Sequence, residues 1–416
     1  LNKLAERNAR LGVIGLGGRG YGLLNQLLGM EDVDVPAICD RYEDRLCRGA
    51  ERIAASGRAA AERYEDYRQL LARDDLDGVI VSTSWTSHAE IAIVAMNAGK
   101  AVGCEVGGAL SLEDMWELVR TAERTGAPFM LLENCCYGRH ELAVWNMVRQ
   151  GLFGELVHCQ CGYEHDLRKE VATGSENRHY RLRHYLNRNG DLYPTHGIGP
   201  IAKLLGINRG NRFVSLTSMS SKARGLAAWT ERHLGPEHPA AKADAALGDI
   251  VTTMIRCAGG ETIAVIHDTT LPRPYSRAGR VQGTKGIWME DNRSIHLEGR
   301  SPAHTWEPFD DYMAEYEHPL WKWYTAHGVR EGHGGMDYLC LRSFVESLRR
   351  QTAPPIDVYD AAAWMAVTVL SEQSVALGSQ PVAFPDFTNG KWMSREPAPS
   401  GKYGLDVLDV SAFEAP

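Results

Sequence analysis

No stretch of about eighteen consecutive apolar residues occurs in the 416-residue chain, so the sequence offers no membrane-spanning helix. Basic blocks and long acidic runs are equally missing. The balance of 45 basic against 53 acidic side chains, a net −8, argues against nucleic acid and anionic membrane surfaces as partners. Internal repeats and low-complexity segments are absent, and the length is too great for one ordinary core, so two domains are expected. Nine cysteines (39, 47, 104, 135, 136, 159, 161, 257 and 340) form no C-x-x-C, and no histidine spacing completes a zinc set. The expectation is buried, reduced thiols and no metal. No pair of acid/base carboxylates stands out either. The chain opens at Leu1 rather than Met; a removed export signal or a trimmed start would each leave this beginning.

What is present begins at Leu11 and runs to Asp40, LGVIGLGGRGYGLLNQLLGMEDVDVPAICD. It reads as strand, glycine turn, helix, second strand and acidic stop. Gly15-x-Gly17-x-x-Gly20, with Gly18 and Arg19 inside it, follows Val13-Ile14 directly. Gly15 permits the sharp turn, Gly17 lets a pyrophosphate approach the backbone, and Gly20 lets the helix pack close to the sheet. The helix N-terminus adds free N–H groups and a positive dipole end. Asp40, placed to take the adenosine ribose hydroxyls, would repel a 2′-phosphate, although Arg41 stands beside it. The expected cofactor is therefore NAD.

Strand and helix patterns then alternate. A helix is expected from Arg41 to Ala55, a short strand near Tyr64, a buried strand from Gly78, and a helix His88 to Ala98 capped by Ser87. A strand from Ala101 follows, then a helix opened by the capping pattern Ser111-Leu-Glu-Asp114 and a strand from Pro128. This is the pattern of a doubly wound parallel sheet. Beyond the helix Glu141 to Gln150 strands succeed each other without helices between them, at 157–163, 213–219, 250–257, 262–267, 286–290 and 294–297. That argues for a mostly antiparallel open sheet in an α+β domain. Gly259-Gly260 and Asp291-Asn292 read as hairpin turns. Helices 336–350 and 358–377 close the fold. The expected division is 1–137, a Rossmann domain; 138–380, a substrate domain; and 381–416, a tail draped over the surface.

Ligands of doubly wound sheets sit beyond the carboxyl ends of the strands. Asp40, Ser84-Trp85-Thr86-Ser87-His88, Glu105-Val106 and Glu133-Asn134 lie there. For His88 the plain alternative is a helix-start imidazole bonded to a neighbouring loop. Glu105 ends an apolar or small-residue strand and needs a partner; the nicotinamide ribose would serve. In the second half, Tyr193-Pro194-Thr195-His196 is the sharpest feature. Pro194 suits a first helical position, and a helix N-terminus disfavours imidazolium, which suits His196 as a base. Arg178, Arg181, Arg183 and Arg188 alternate with Tyr180, His184 and Tyr185; this is either a solvated basic face or a sugar-binding wall. Tyr163 in Gly162-Tyr-Glu-His-Asp166 and Tyr275 in Leu271-Pro-Arg-Pro-Tyr-Ser276 end strands or follow them. His333-Gly-Gly-Met-Asp337 stands at a helix start, as a cap or a ligand.

Assembled, these residues resemble the glucose–fructose oxidoreductase/inositol dehydrogenase/MocA family over nearly the whole chain. The matches are the glycine turn, Asp40, Thr83 to His88, Asn97-Ala-Gly99-Lys100-x-Val, Glu105, and the change from alternating to consecutive strands. Three departures stand out. Glu105-Val106-Gly107 replaces that family's Glu-Lys-Pro, so its usual catalytic lysine is absent. Leu192, with Asp191 one place off, replaces its Asp four residues before the histidine. Ser84-Trp85 replaces its proline. Trp85/His88, Glu105-Val106, Glu133-Asn134 and Tyr193-Pro-Thr-His196 instead resemble glycoside hydrolase family 109, the NAD-dependent N-acetylgalactosaminidases.

That resemblance implies cofactor roles for Trp85 to His88, Glu105, Val106 and Asn134. It implies sugar roles for Tyr163, Arg181 (or its neighbour Arg183), Tyr193, Pro194, Thr195, His196 and Tyr275. His196, Tyr193 and Tyr275 would be the catalytic groups, the hydrolysis proceeding by transient oxidation at carbon 3, elimination, water addition and re-reduction. This is a known exception to the two-carboxylate rule of glycosidases. The rival expectations are an NAD-dependent sugar or polyol dehydrogenase with net NADH production, and a non-catalytic ligand sensor. By the same resemblance the protein is expected to act on a glycan or glycoside and to form a homodimer or higher homo-oligomer. It is also expected to be exported to a bacterial periplasm after folding with NAD in the cytoplasm, with a cytoplasmic location as the alternative.

Overall fold

The computed structural model describes residues 6–107, 110–397 and 401–413. The chain gathers into two units. The first holds the residues up to Gly138, Pro319–Ala362, and the described residues from Glu396 onward; the second holds Arg139–His318 and Ala363–Arg395. Contacts therefore do not follow three consecutive stretches of chain, because late segments return to the first unit.

In the first unit β1 (Ala9–Ile14), β2 (Val33–Cys39), β3 (Glu62–Tyr64), β4 (Gly78–Val81), β5 (Ala101–Cys104) and β6 (Phe129–Leu131) form one sheet. Its order is β3-β2-β1-β4-β5-β6, and every pairing is parallel. Every residue of β4, β5 and β6 is buried, as befits strands covered on both faces. The strand order reverses between β1 and β4, so a ligand crevice lies beyond their carboxyl ends. The helix Gly18–Leu28 buries Leu23, Leu24, Leu27 and Leu28. The helix Met336–Arg350 packs on it and on β1 and β5. Arg342 fixes that helix by donating to both carboxylate oxygens of Asp32, at 2.5 and 2.7 Å.

Local signals worked where the chemistry was specific. Ser111 Oγ accepts the Asp114 N–H at 3.0 Å and opens the helix Leu112–Thr125. Ser87 does not cap His88–Asn97: a 3-10 turn, Trp85–Ser87, precedes that helix, and the Ser87 hydroxyl bonds Thr83 and Ser84 instead.

In the second unit β7 (Leu156–Glu164), β8 (Phe213–Ser220), β9 (Ile250–Cys257), β10 (Thr262–Asp268), β11 (Arg280–Gly283), β12 (Gly286–Met289), β13 (Ser294–Leu297), β14 (Glu307–Pro308) and β15 (Val382–Ala383) form a nine-stranded sheet. The order is β14-β13-β12-β11-β7-β10-β9-β8-β15. Only the β7–β10 pairing is parallel; the rest are antiparallel. Burial along β9 alternates, the mark of a sheet covered on one face. The helix Thr195–Leu204 covers part of that face, lying against β7. The segment after 380 is not a surface drape. Val382 pairs with β8, and Phe384, Phe387, Tyr403 and Leu405 are buried, because these apolar side chains find cores to fill.

Candidate active site

In the first unit the three motif glycines do three different jobs. Gly15 has φ +95°, and a Cβ there would lie 2.6 Å from the Ser82 carbonyl oxygen, so both conformation and close strand approach demand glycine. At Gly20 a Cβ would overlap the Gly15 carbonyl and lie 2.5 Å from Ser82 Oγ. At Gly17 the nearest atom to an added Cβ is Arg45 Nη1, 3.6 Å away. The protein leaves that space open at the N-cap of the helix Gly18–Leu28, where a pyrophosphate fits. Asp40 follows β2; its Oδ2 accepts Leu16 N–H at 2.7 Å and its Oδ1 accepts Tyr42 N–H at 3.1 Å. The carboxylate is therefore held against the turn.

Glu105 does have the partner its burial required, and it is Arg19. Arg19 Nε donates to Glu105 Oε1 at 2.8 Å and Arg19 Nη1 to Asp337 Oδ2 at 2.6 Å. Asn134 Nδ2 donates to the other oxygen of Asp337 at 2.7 Å. Burial alone would raise the Asp337 carboxyl, but the His333 and Arg19 hydrogen bonds outweigh it and hold the group well below the usual carboxylate range. His333 Nδ1 stands 2.8 Å from Asp337 Oδ2. Its ring sits on a turn in which Gly332, His333, Gly334 and Gly335 have φ of 101, 45, 65 and 99°. Of these four positive-φ residues only the one that is not glycine, His333, is strained, and strain of that kind clusters at functional sites. His333 is thus not a helix cap. It is an exposed imidazole with Nδ1 turned to a buried carboxylate.

Val106 is buried and brings no titratable group. Trp85 is buried as well, while Thr86 is exposed with its Oγ1 2.9 Å from Ser84 Oγ. His88 makes a loop contact: its Nε2 lies 3.0 Å from the Thr83 carbonyl, and burial pushes the imidazole down to about 4.

In the second unit the sugar-side candidates converge. Gly197 permits it, since a Cβ there would lie 2.5 Å from Gly162 N; the first turn of Thr195–Leu204 therefore rests on the β7 backbone. This brings the ring of His196 to 5.5 Å and that of Tyr193 to 4.5 Å from Tyr163, with Tyr193 and His196 4.9 Å apart. Tyr275 is 6.3 Å from Tyr163 and is half exposed. Pro194 is the N-cap and Thr195 the first helical residue, one place later than the proline preference predicts. The Arg181 guanidinium lies over Tyr193 at 5.0 Å and over Tyr163 at 5.9 Å, whereas Arg183 is exposed. Burial pushes the Tyr163 hydroxyl up to about 12, so it keeps its proton near neutrality. Asp191 is buried with its Oδ1 on the Tyr193 N–H at 3.1 Å, and burial pushes it up to about 7. Arg277 backs the cluster, its Nε on Glu141 Oε1 at 2.8 Å and its Nη1 3.4 Å from the Tyr275 hydroxyl.

Sequence reasoning missed the joining of Arg19, Asp337 and His333, whose signal was the glycine-flanked histidine four residues before an aspartate. It also missed His165, which lies within the aromatic cluster (Nδ1 3.1 Å from the Tyr163 hydroxyl, ring 5.1 Å from Tyr275).

Comparison with known proteins agrees with both halves. Residues 9–132 match the oxidoreductase family model for an NAD-binding Rossmann fold, and residues 137–394 match the glycosyl hydrolase 109 C-terminal domain. A glycosyl hydrolase family 109 protein of Stenotrophomonas maltophilia is 49% identical over 423 aligned positions, spanning 95% of this chain and 93% of the relative. An alpha-N-acetylgalactosaminidase of Tannerella forsythia is 43% identical, spanning 94% and 88%. Among solved structures, levoglucosan dehydrogenase in complex with NADH superposes with a TM-score of 0.69 at 20% identity, covering 91% of this chain and all of that one. The scyllo-inositol dehydrogenase of Lactobacillus casei, with NAD(H) and scyllo-inositol, gives 0.65 at 12%, covering 91% and 99%. These two establish the fold. With an NAD-binding Rossmann unit and a family-specific second unit over nearly its whole length, the chain belongs to glycoside hydrolase family 109.

Proposed function

We propose that this glycoside hydrolase removes terminal α-N-acetylgalactosamine by a route that oxidises and re-reduces the sugar within one turnover. The observation that carries the reading is the convergence of Tyr163, Arg181, Tyr193, His196 and Tyr275, from four separate chain segments, into one aromatic and cationic cluster. Aromatic faces take the apolar face of a hexose, while an arginine and phenols take its oxygens. The name of the Tannerella forsythia relative supports the choice of sugar.

The residues that would hold NAD are the turn Gly15 to Gly20, Asp40 at the ribose, Trp85 to His88, and Glu105, Val106 and Asn134. The open space at Gly17 fits a pyrophosphate. NAD, when bound, supplies a reversible hydride acceptor, so that carbon 3 of the sugar is a ketone during the reaction and an alcohol again at its end. His196 takes the carbon 3 hydroxyl proton on a ring nitrogen and later returns it. Arg181 donates to the oxygen at carbon 3 while it is a carbonyl. The proton on carbon 2, acidic beside that carbonyl, passes to the oxygen of Tyr193 or Tyr275 while that hydroxyl gives its own proton to the glycosidic oxygen, which leaves carbon 1 as an alcohol with a carbon 1–carbon 2 double bond left behind. Water then adds across that double bond, its oxygen to carbon 1 and a proton back to carbon 2. His333, oriented by Asp337, is a proton-handling group of the NAD-binding unit.

The test is aryl-glycoside cleavage by the NAD-loaded protein, following nitrophenol and NADH together on the α- and β-N-acetylgalactosaminides. Phenol release without matching NADH is expected, and His196→Ala abolishes it. Stoichiometric NADH without phenol would make the protein a sugar dehydrogenase. We further propose a homodimer. The open face of the second sheet exposes Met219 and Met254, with Thr217, Ala264, Gln160 and Arg280 in register across it.

A further inference from the structure

We propose that His165 is a specificity-determining residue, the end of a hydrogen-bond chain that reads the acetamido carbonyl of the sugar. The inference rests on the reading of the substrate as an N-acetylated glycoside and extends it to a residue outside the aromatic and arginine set argued above.

The chain of donors follows from what each group can do. Arg181 has no acceptor atom, and it hydrogen-bonds the Tyr163 hydroxyl, so the phenol oxygen accepts there. The Tyr163 proton is then free to point elsewhere, and His165 Nδ1 stands 3.1 Å away. Burial lowers the His165 imidazole below its ordinary value, which makes it a neutral ring with one acceptor nitrogen. Tyr163 therefore donates to Nδ1, and the ring proton resides on Nε2. No hydrogen bond of His165 Nε2 occurs among the described residues, and the side chain is part exposed. A guanidinium at the far end polarises the chain and strengthens its last donor.

The surroundings select the ligand group. The His165 ring meets Tyr275 edge-on at 5.1 Å and Tyr163 edge-on at 5.7 Å, and these two tyrosines are 6.3 Å apart. With Tyr275 half exposed and His165 part exposed, apolar ring carbon lies beside one N–H donor. An acetamido group presents that pair of features, a methyl and a carbonyl oxygen; a hydroxyl presents no methyl. The backbone holds the ring in place: His165 N–H donates to the Asp268 carbonyl at 2.9 Å, and Glu164 exchanges two hydrogen bonds with Ser276 at 3.1 and 2.9 Å.

The experiment measures binding of free N-acetylgalactosamine and of galactose to the NAD-loaded protein, wild type against His165→Ala and His165→Gln. One lost hydrogen bond to a neutral acceptor corresponds to about a tenfold loss of affinity. His165→Ala is expected to weaken N-acetylgalactosamine about tenfold and leave galactose unchanged. His165→Gln, whose amide keeps a donor, recovers part of the loss. NAD content and melting temperature should match wild type in both variants. Equal weakening of the two sugars, or none, overturns the proposal and leaves His165 as packing for Tyr163. A wild-type protein that binds neither sugar overturns the reading of the substrate, and this inference with it.

Discussion

The three motif glycines should separate when each is replaced by alanine. At Gly20 the new methyl overlaps the Gly15 carbonyl and crowds Ser82 Oγ. The obstacle is backbone, which cannot swing aside, so the helix Gly18–Leu28 must shift away from the strand turn. Overpacking typically costs about 1–3 kcal/mol, and an immovable partner puts this case at the upper end, about 3 kcal/mol. For a unit of this size each kcal/mol moves the melting temperature by about 2–4 °C, so Gly20→Ala should melt about 6–12 °C low without added NAD. Gly17→Ala meets only the Arg45 guanidinium at 3.6 Å and loses no more than the preference for glycine over alanine at an N-cap, about 1 kcal/mol. Its defect appears on adding NAD. At a hundredfold excess over Kd the wild type gains about 2.7 kcal/mol, and Gly17→Ala should gain almost none, because the methyl takes the space of the pyrophosphate. Gly18→Ala meets no atom within 4 Å and gains helix propensity, so it should melt at or above wild type. Thermal melting of the four proteins with and without NAD decides the matter. A Gly20→Ala protein as stable as wild type refutes the close-packing argument. A Gly17→Ala protein with the full NAD response removes the pyrophosphate from that turn.

Asp191 gives a pH test: its folded value of about 7 lies above its ordinary 3.8. The folded state therefore holds a proton that the unfolded chain has already released, and this group's contribution falls as pH rises from about 4 to 7, by up to about 4 kcal/mol. Asp191→Asn should raise the melting temperature at pH 8 by a margin that shrinks toward pH 4; a margin independent of pH would show that burial of the carboxylate is not what is being relieved. The open sheet face predicts sedimentation at twice the chain mass, reduced to the single-chain mass by Met254→Arg together with Met219→Arg; a wild-type monomer rejects that face as an interface.

The parts of the fold that could be read ahead of the structure are those where a local pattern has one physical cause. Gly15 to Gly20 and Asp40 lie within a single strand–helix–strand stretch, and Ser111 capping Asp114 is a three-residue matter. β11 was not legible: Arg280–Gly283 is four residues with a glycine end, and it becomes a strand because β7 and β12 flank it. The choice between Arg181 and Arg183 was open for a geometric reason. Two residues apart on a helix differ by about 200°, so one faces in and one out, but nothing local says which. The structure turns Arg181 inward, over Tyr163 and Tyr193.

The missing lysine and the missing carboxylate pair have a common account in the first unit. A lysine at position 106 would bring its ammonium to a place where Val106 is buried and where Glu105 is already committed to Arg19. Arg19 comes from the glycine turn, 86 residues before Glu105 and 318 before Asp337, so no window of sequence contains the three together. With these carboxylates tied to one guanidinium, neither Glu105 nor Asp337 is placed as a free general acid. Beside them stands His333, raised on its strained turn with Nδ1 turned to Asp337. In the route proposed above, a chemistry that returns its hydride calls for a reversible proton carrier rather than an acid and a nucleophile about 5 Å apart, and the imidazole proposed for it in the second unit, His196, leaves a carboxylate pair without a task.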